Sequence, residues 1–363
     1  MTLVGVAAAA ASHAAGESYL IGLDNRKRDF PNPHISIVRF DGSGSRPSHV
    51  AEYYCHRQSQ VCTLQDLTAN AINGGEAYGL MRTNRTAQML FTWINITGAP
   101  IEVSRCILPR HTLSVQWRGQ QLWSVHSCKG SALTCAAVLA SNTAQSCAVV
   151  AGSEVALPGL QFEHLQPRSV LIAAAAAVEA ASSDTAVAYS LFADPSAADS
   201  NLTLQESRLA SSGAAPQHWV VPNARSIPTD GLQLAILPSA SMVAIFERFG
   251  GRIHRLSFAG QAAHAPAKWL QPPLAPPPGY DISHVAPREV VSAGAAAVEV
   301  DGHGAIAAIA GEPTPGPGGP NGLRLLFLSP ENGSVLVASP GMDNVCTYDA
   351  DICSVLAFTG VGD

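Results

Sequence analysis

The cysteines are the residues of this chain whose type and spacing specify chemistry most directly, and that chemistry is oxidation to disulfides. The chain has eight of them, an even number. Cys55 and Cys62 enclose a short polar segment, and so do Cys346 and Cys353. Polar interiors of this length favour surface loops closed by a bridge, so we predict the disulfides Cys55–Cys62 and Cys346–Cys353. No Cys-X2-Cys pair is present to suggest a structural zinc site.

The other four cysteines, Cys106, Cys128, Cys135 and Cys147, lie close together in one central segment. Three connectivities are open for four cysteines, and we favour Cys106–Cys128 with Cys135–Cys147. Each loop is short, so each bridge would stabilise the fold by about 2–3 kcal/mol. Cysteine usage of this kind predicts an oxidising, extracellular environment.

Asn-X-Ser/Thr triplets give a second sign of the secretory pathway. They begin at Asn84, Asn95, Asn201 and Asn332. Such triplets accept N-linked glycans in secreted proteins. Cysteines and triplets together predict a secreted, N-glycosylated, disulfide-bonded protein.

Carboxylates are the next groups that could do chemistry. Asp349 and Asp351 lie two residues apart in the last cysteine loop, so an extended chain would point both the same way. A calcium site needs six to eight oxygen ligands, and this loop is our candidate calcium site, with a solvated acidic loop as the alternative. We expect no other cofactor, because phosphate-binding glycine loops and paired histidines are absent from the sequence.

Trp117 and Trp123 flank a predicted turn in a chain with few aromatic residues. Exposed indole rings there would stack on sugars, which makes both residues candidate ligand contacts. The alternative is that they fill the space between neighbouring sheets.

Composition limits the kind of protein. With 363 residues, 13% of them charged, and a formal net charge of −6, the chain forms a compact fold and offers nucleic acid no basic surface. No apolar run reaches the roughly 20 residues that span a bilayer. Residues 1–16 are apolar and end in small side chains, and we interpret them as a signal-peptide remnant or as a strand that closes the fold.

Six hairpins of alternating or apolar strands recur along residues 17–363, separated by turns rich in glycine, asparagine and aspartate. The segments Ile35–Gly42 and Leu90–Gly98 resemble the middle hairpin of β-propeller blades. That resemblance implies an all-β fold, a single propeller of six or seven blades with disulfide-closed loops, in which Ser354–Gly360 pairs with Thr2–Val6 to close the ring. The alternative is two β-sandwich domains divided near residues 210–230.

Two proline-rich stretches interrupt this pattern, at residues 272–279 and 312–321. Each should be extended and lie at the surface. The first is a connection between blades, or else a site of prolyl modification or partner binding; the second lies between two strands of one blade.

We therefore expect a secreted, glycosylated β-propeller that acts as a non-enzymatic extracellular binding or assembly module, with a protein or glycan partner. No Gly-X-Ser-X-Gly element or other catalytic motif is present in the sequence. The alternative is a secreted propeller enzyme that acts on carbohydrate, because carboxylates from different blades can converge at the central channel.

Overall fold

A computed structural model describes the strands of this protein and the turns next to them. The described residues are 18–26, 34–41, 48–54, 63–70, 75–82, 88–96, 101–108, 112, 114–118, 121–128, 133–140, 147–161, 171–178, 186–193, 202–208, 217–222, 232–237, 242–247, 252–257, 267–276, 278, 281–287, 306–311, 322–338, 342–343 and 352–361.

Across these residues the regular structure is entirely β-strand, which confirms the predicted all-β class. The strands are β1 (Ser18–Arg26), β2 (His34–Asp41), β3 (Ser48–Tyr54), β4 (Thr63–Asn70), β5 (Glu76–Arg82), β6 (Gln88–Ile94), β7 (Ile101–Ile107), β8 (Ser114–Arg118), β9 (Gln121–Ser127), β10 (Leu133–Ala140), β11 (Ala148–Val149), β12 (Val155–Gln161), β13 (Leu171–Val178), β14 (Ala186–Ala193), β15 (Leu202–Arg208), β16 (Gln217–Val220), β17 (Leu232–Leu237), β18 (Met242–Glu247), β19 (Ile253–Ser257), β20 (Lys268–Leu274), β21 (Asp281–Pro287), β22 (Ile306–Gly311), β23 (Gly322–Leu328), β24 (Val335–Ala338), β25 (Met342–Asp343) and β26 (Ile352–Val361).

The described strands form six antiparallel sheets, each built from strands that follow one another in the chain, except that the first sheet also contains the C-terminal strand β26. The first sheet has the order β26-β1-β2-β3, and the second the order β4-β5-β6-β7. The third contains β8 to β12, the fourth β13 to β16, the fifth β17 to β20, and the sixth β21 to β25. Each predicted hairpin falls in a different sheet, because alternating apolar residues and tight turns specify local antiparallel pairing.

One edge strand of each sheet, which we call its first-position strand, contacts the first-position strand of the next sheet. In sheet order these strands are β26, β4, β8, β13, β17 and β21. β4 contacts β26 and β8, β13 contacts β8 and β17, and β21 contacts β17 and β26. The series therefore returns to the strand from which it starts.

The C-terminal strand belongs to the sheet that contains the first described strand. β26 pairs with β1 in an antiparallel register that runs from Ser18 opposite Val361 to Arg26 opposite Ile352. We predicted that the C-terminal strand closes the fold by pairing with Thr2–Val6. The strand does pair near the N-terminus, but its partner is β1, and residues 1–16 lie outside the described residues.

Apolar side chains fill the spaces between neighbouring sheets. Between the first and second sheets, Leu20 and Ile35 pack with Phe91 and Trp93 in one buried cluster. A side chain at Gly79 would place its Cβ 3.0 Å from the Trp93 ring, so only glycine lets the strand approach the indole this closely. Side chains of the second and third sheets form a second buried cluster.

Candidate functional site

The four central cysteines form two disulfides, and the pairing that we favoured is wrong. Cys128 bonds to Cys135 and Cys106 bonds to Cys147. Cys128 follows β9, and Cys135 lies in β10 opposite His126, so hairpin formation alone brings their Cα atoms to 5.1 Å. This arrangement leaves Cys106 and Cys147 to pair with each other.

The Cys106–Cys147 bridge joins two sheets. Cys106 lies in β7, the last strand of the second sheet, and Cys147 precedes β11 of the third sheet. Their Cα atoms are 5.4 Å apart. The disulfides indicate an extracellular or otherwise oxidising environment.

The other predicted bridges lie outside what the structure describes. Cys55, Cys62 and Cys346 are not among the described residues, and only the backbone of Cys353 is described, in β26 opposite Asn25. Both bridges stay predictions.

Two of the four predicted glycosylation sites are described, and both asparagines are exposed. Asn95 follows β6 with a left-handed backbone φ of 59°. Asn332 lies in the turn between β23 and β24, where its Oδ1 accepts the Ser334 N–H at 2.9 Å. Both occupy the connection between the third and fourth strands of a sheet, whereas Asn84 and Asn201 lie outside the described residues. Glycosylation itself stays a prediction.

One of the two candidate tryptophans is buried, and the other is half-buried against a neighbouring sheet. Trp123 is only 5% exposed. Trp117 is half-buried and stacks on Tyr78 of the second sheet, with ring centroids 5.7 Å apart and planes 5° from parallel. The Trp117 and Trp123 rings thus fill space inside the protein, which favours the packing alternative over stacking on sugars.

The candidate calcium residues Asp349 and Asp351 lie outside the described residues. Within the described part of the chain, Glu154 approaches the sulfur atoms of Cys128 and Cys135, with the ligand atoms all within 4.8 Å of one another. The two sulfurs are bonded to each other, so they are not thiolate ligands for a metal while this bridge is intact.

A serine and a histidine lie side by side on β9. Ser124 Oγ and His126 Nδ1 are 3.0 Å apart, and Ser124 Oγ also donates to the Ala137 carbonyl at 3.4 Å. Ser124 is 1% exposed and His126 3%, so a substrate cannot reach this hydroxyl. Burial lowers the pKa of His126, and the nearby Glu154 carboxylate opposes this shift. Because the effect of burial is the larger, the imidazole is neutral near pH 7. The pair is a buried structural contact.

Polar side chains of β4 bind the backbone of β8. Asp66 Oδ1 accepts the Leu67 N–H and Oδ2 accepts the Val115 N–H, both at 2.9 Å. Thr68 Oγ1 accepts the Trp117 N–H, also at 2.9 Å. The carboxylate on this first-position strand therefore holds two sheets together through backbone donors.

Gln88 makes a similar connection a few residues away. Its Nε2 donates to the Thr112 carbonyl and to Gln65 Oε1, each at 2.6 Å, and its Oε1 accepts the Thr112 N–H at 2.7 Å. Gln88 is buried at the start of β6, so the segment that leads from β7 to β8 is fixed on the second sheet.

Arg255 joins the fifth and sixth sheets from within β19. The Arg255 side chain is buried, with 4% exposed. Its Nη1 donates to the Pro330 carbonyl at 2.6 Å and to the Glu331 carbonyl, both in the turn between β23 and β24 of the sixth sheet. Its Nη2 donates to the Pro272 carbonyl of β20 at 3.1 Å. Burial lowers the pKa of Arg255. The neighbouring His254 Nε2 contacts the Glu247 carboxylate inside the fifth sheet.

Sequence reasoning did not single out Asp66, Gln88 or Arg255. Their partners are backbone groups far along the chain, such as Val115 for Asp66 and Pro330 for Arg255. The sequence signal is a polar residue inside a strand-like segment, which is too common to identify a site.

Comparison with solved structures gives only distant similarities. A prolyl endopeptidase is 10% identical, with 91% of this chain and 43% of that one covered and a TM-score of 0.36. A protein from Lactobacillus plantarum is 12% identical over 95% of this chain and 99% of that one, with a TM-score of 0.41. A GH74 enzyme from Niastella koreensis is 11% identical over 88% and 45%, with a TM-score of 0.40.

This chain thus spans less than half the length of the prolyl endopeptidase and of the GH74 enzyme. No protein-family model and no curated protein matches it. Similarities of this size assign neither a fold nor an activity. Among the described residues there is no helix with the length and apolar character needed to cross a membrane.

Proposed function

We propose that the six sheets are the blades of a six-bladed β-propeller. The series of contacts among first-position strands, which returns to β26, supports a ring. The pairing of β26 with β1 places the first and last described strands in one sheet, as ring closure requires. The contact between β13 and β17 crosses residues 210–230, where two sandwich domains would divide.

This propeller is a secreted, glycosylated module that binds a protein or glycan partner or takes part in an extracellular assembly. The observation that carries the proposal is the Cys106–Cys147 bridge, which cross-links two sheets. Such a bridge forms in an oxidising compartment, as it would during secretion. The exposed Asn95 and Asn332 supply surface sites for glycans at blade connections.

The chemistry of the described polar residues favours binding over catalysis. Asp66 accepts two backbone N–H groups, Ser124 and His126 are buried, and Arg255 binds backbone carbonyls. Each of these groups is occupied by contacts within the protein. The alternative function, a propeller enzyme that acts on carbohydrate, is tested in the same experiment.

The test is chemical cross-linking of the tagged protein on intact cells with a membrane-impermeant reagent, followed by identification of the adduct. We expect one discrete extracellular partner or glycan-bearing adduct. In parallel, the purified protein is incubated with a panel of chromogenic glycosides, and we expect no release of chromophore. Labelling confined to permeabilised cells, or turnover of a glycoside, would refute the proposed function.

A further inference from the structure

We propose that the outer strand of the fifth sheet, which we call the proline edge, is a docking surface for a partner domain with an aromatic-lined groove flanked by carboxylates. The proline edge consists of residues 268–276 and 278. This inference rests on the proposed function as an extracellular binding module, and it names the kind of partner.

From Pro272 onward, every third residue of the proline edge is exposed. Pro272, Ala275 and Pro278 are exposed, whereas Leu274 between them is only 6% exposed. Pro272 lies in β20, and Ala275 and Pro278 follow the strand, so the exposed side chains extend from the strand into the segment after it. Gln271, within β20, adds a further exposed side chain.

Two contacts hold the proline edge in place on the sixth sheet. Leu274 packs on Gly333, whose φ is 73°; a Cβ on that glycine would lie 3.2 Å from the Leu274 Cβ. The Arg255 guanidinium bridges the Pro272 carbonyl to the Pro330 carbonyl. A segment already ordered in this way loses little conformational entropy when a partner binds, which favours affinity.

The prolines determine how a partner can recognise this edge. Pro272 and Pro273 have no N–H group, so another β-strand cannot extend the sheet along them. Recognition must then come from the rings and from exposed carbonyls. Grooves lined with aromatic side chains bind extended proline-rich segments in this way.

Charge adds the second feature of the partner. Lys268, one of three lysines in the chain, is exposed at the start of the proline edge, and the described residues give it no carboxylate partner. A groove that binds the prolines with Lys268 beside it gains from carboxylates at its rim.

The test uses immobilised SH3, WW and EVH1 domains and profilin as probes of aromatic-lined, proline-binding grooves, and measures their binding to the full-length protein by surface plasmon resonance. We expect at least one domain with an acidic groove rim to bind with a Kd of about 100 µM or tighter. Ala275→Glu should weaken that binding at least about tenfold, and Lys268→Glu about fivefold. Replacing the groove tryptophan of the domain by alanine should abolish binding.

The matched control is Gln217→Glu on β16, the exposed outer strand of the fourth sheet, which should leave binding unchanged. All variants are first checked for an unchanged thermal unfolding transition. The proposal is overturned if no domain binds, or if Ala275→Glu binds as well as the parent. A second outcome also overturns it, namely that the prolines only prevent pairing of this edge strand with other chains. In that case the double variant Pro272→Val, Pro273→Val self-associates while no domain binds the parent protein. The cell-surface cross-linking test scores any extracellular partner, so failure here leaves the proposed function standing.

Discussion

At the scale of single residues, several buried or half-buried polar side chains, among them Asp66, Gln88 and Arg255, bind backbone groups in or next to a neighbouring sheet. Arg255 is the strongest example, because it serves three carbonyl groups from the fifth and sixth sheets. Removing a buried donor of this kind is costly, because its carbonyl acceptors stay buried away from water and no longer have a hydrogen-bond partner.

We therefore expect Arg255→Met to lower the free energy of unfolding by about 2–4 kcal/mol. The control is Arg252→Met, because Arg252 is 57% exposed and lies 3.9 Å from the Glu247 carboxylate, so its loss should cost under about 0.5 kcal/mol. Urea-induced unfolding followed by tryptophan fluorescence measures both. Equal losses for the two variants would show that Arg255 does not join the sheets.

His126 should make the stability of the protein depend on pH. Burial lowers its pKa in the folded state below the ordinary value of 6.5, although Glu154 opposes the shift. The unfolded chain then binds the proton more readily, so the stabilisation is complete above about pH 6.5 and is lost as the pH falls toward the folded pKa. We expect the Tm of the parent to fall more steeply between about pH 7.5 and 5 than that of His126→Gln, measured by calorimetry. Parallel curves would contradict this assignment.

At the scale of elements, the two described disulfides differ in what they connect. Cys128–Cys135 closes a hairpin with a sequence separation of 7, whereas Cys106–Cys147 links two sheets with a separation of 41. A longer closed loop restricts the unfolded chain more, so the bridge between sheets should be the more stabilising of the two.

We expect Cys106→Ser with Cys147→Ser to cost about 4 kcal/mol, and Cys128→Ser with Cys135→Ser about 2 kcal/mol, from the loop-length dependence of chain entropy. Guanidinium-induced unfolding of the two double variants, each compared with the parent, gives both values. The opposite order of the two losses would mean that the link between sheets adds little to the stability of the fold.

The sequence predicted the hairpins better than the outer strands. β17 and β18 read clearly as strands because their apolar residues run to a short turn. β16 and β20 did not, because an outer strand has a neighbour on one side only and keeps polar residues or prolines. The proline-rich stretch after residue 271, expected to connect blades, therefore begins inside a strand.

The candidate site was less predictable than the fold for a related reason. Exposure of Asn332 follows from its turn, which the sequence indicates locally. The burial of Trp123 and the pairing of Cys106 with Cys147 depend on how the third sheet packs on its neighbours. Packing between sheets joins residues far apart in the chain, and a single sequence does not encode those contacts in any short motif.

At the scale of the whole molecule, we propose a ring of six sheets in a secreted protein. The ring is supported by the contacts of first-position strands and by the pairing of β26 with β1. The extracellular role is supported by disulfides and exposed glycan acceptors, and the proline edge gives it a docking surface. The disulfides require an oxidising compartment, and the proposed glycans require a glycosylating one.

The most direct measurement is the intact mass of the natively produced protein, with and without reductant and after removal of N-linked glycans. Eight cysteines in four bridges predict a gain of about eight mass units on reduction, one hydrogen per sulfur, together with a loss of glycan mass. A gain of about four units would limit the bridges to the two that the structure describes. No change in either mass would contradict the secreted, disulfide-bonded account and leave eight free thiols in an intracellular protein.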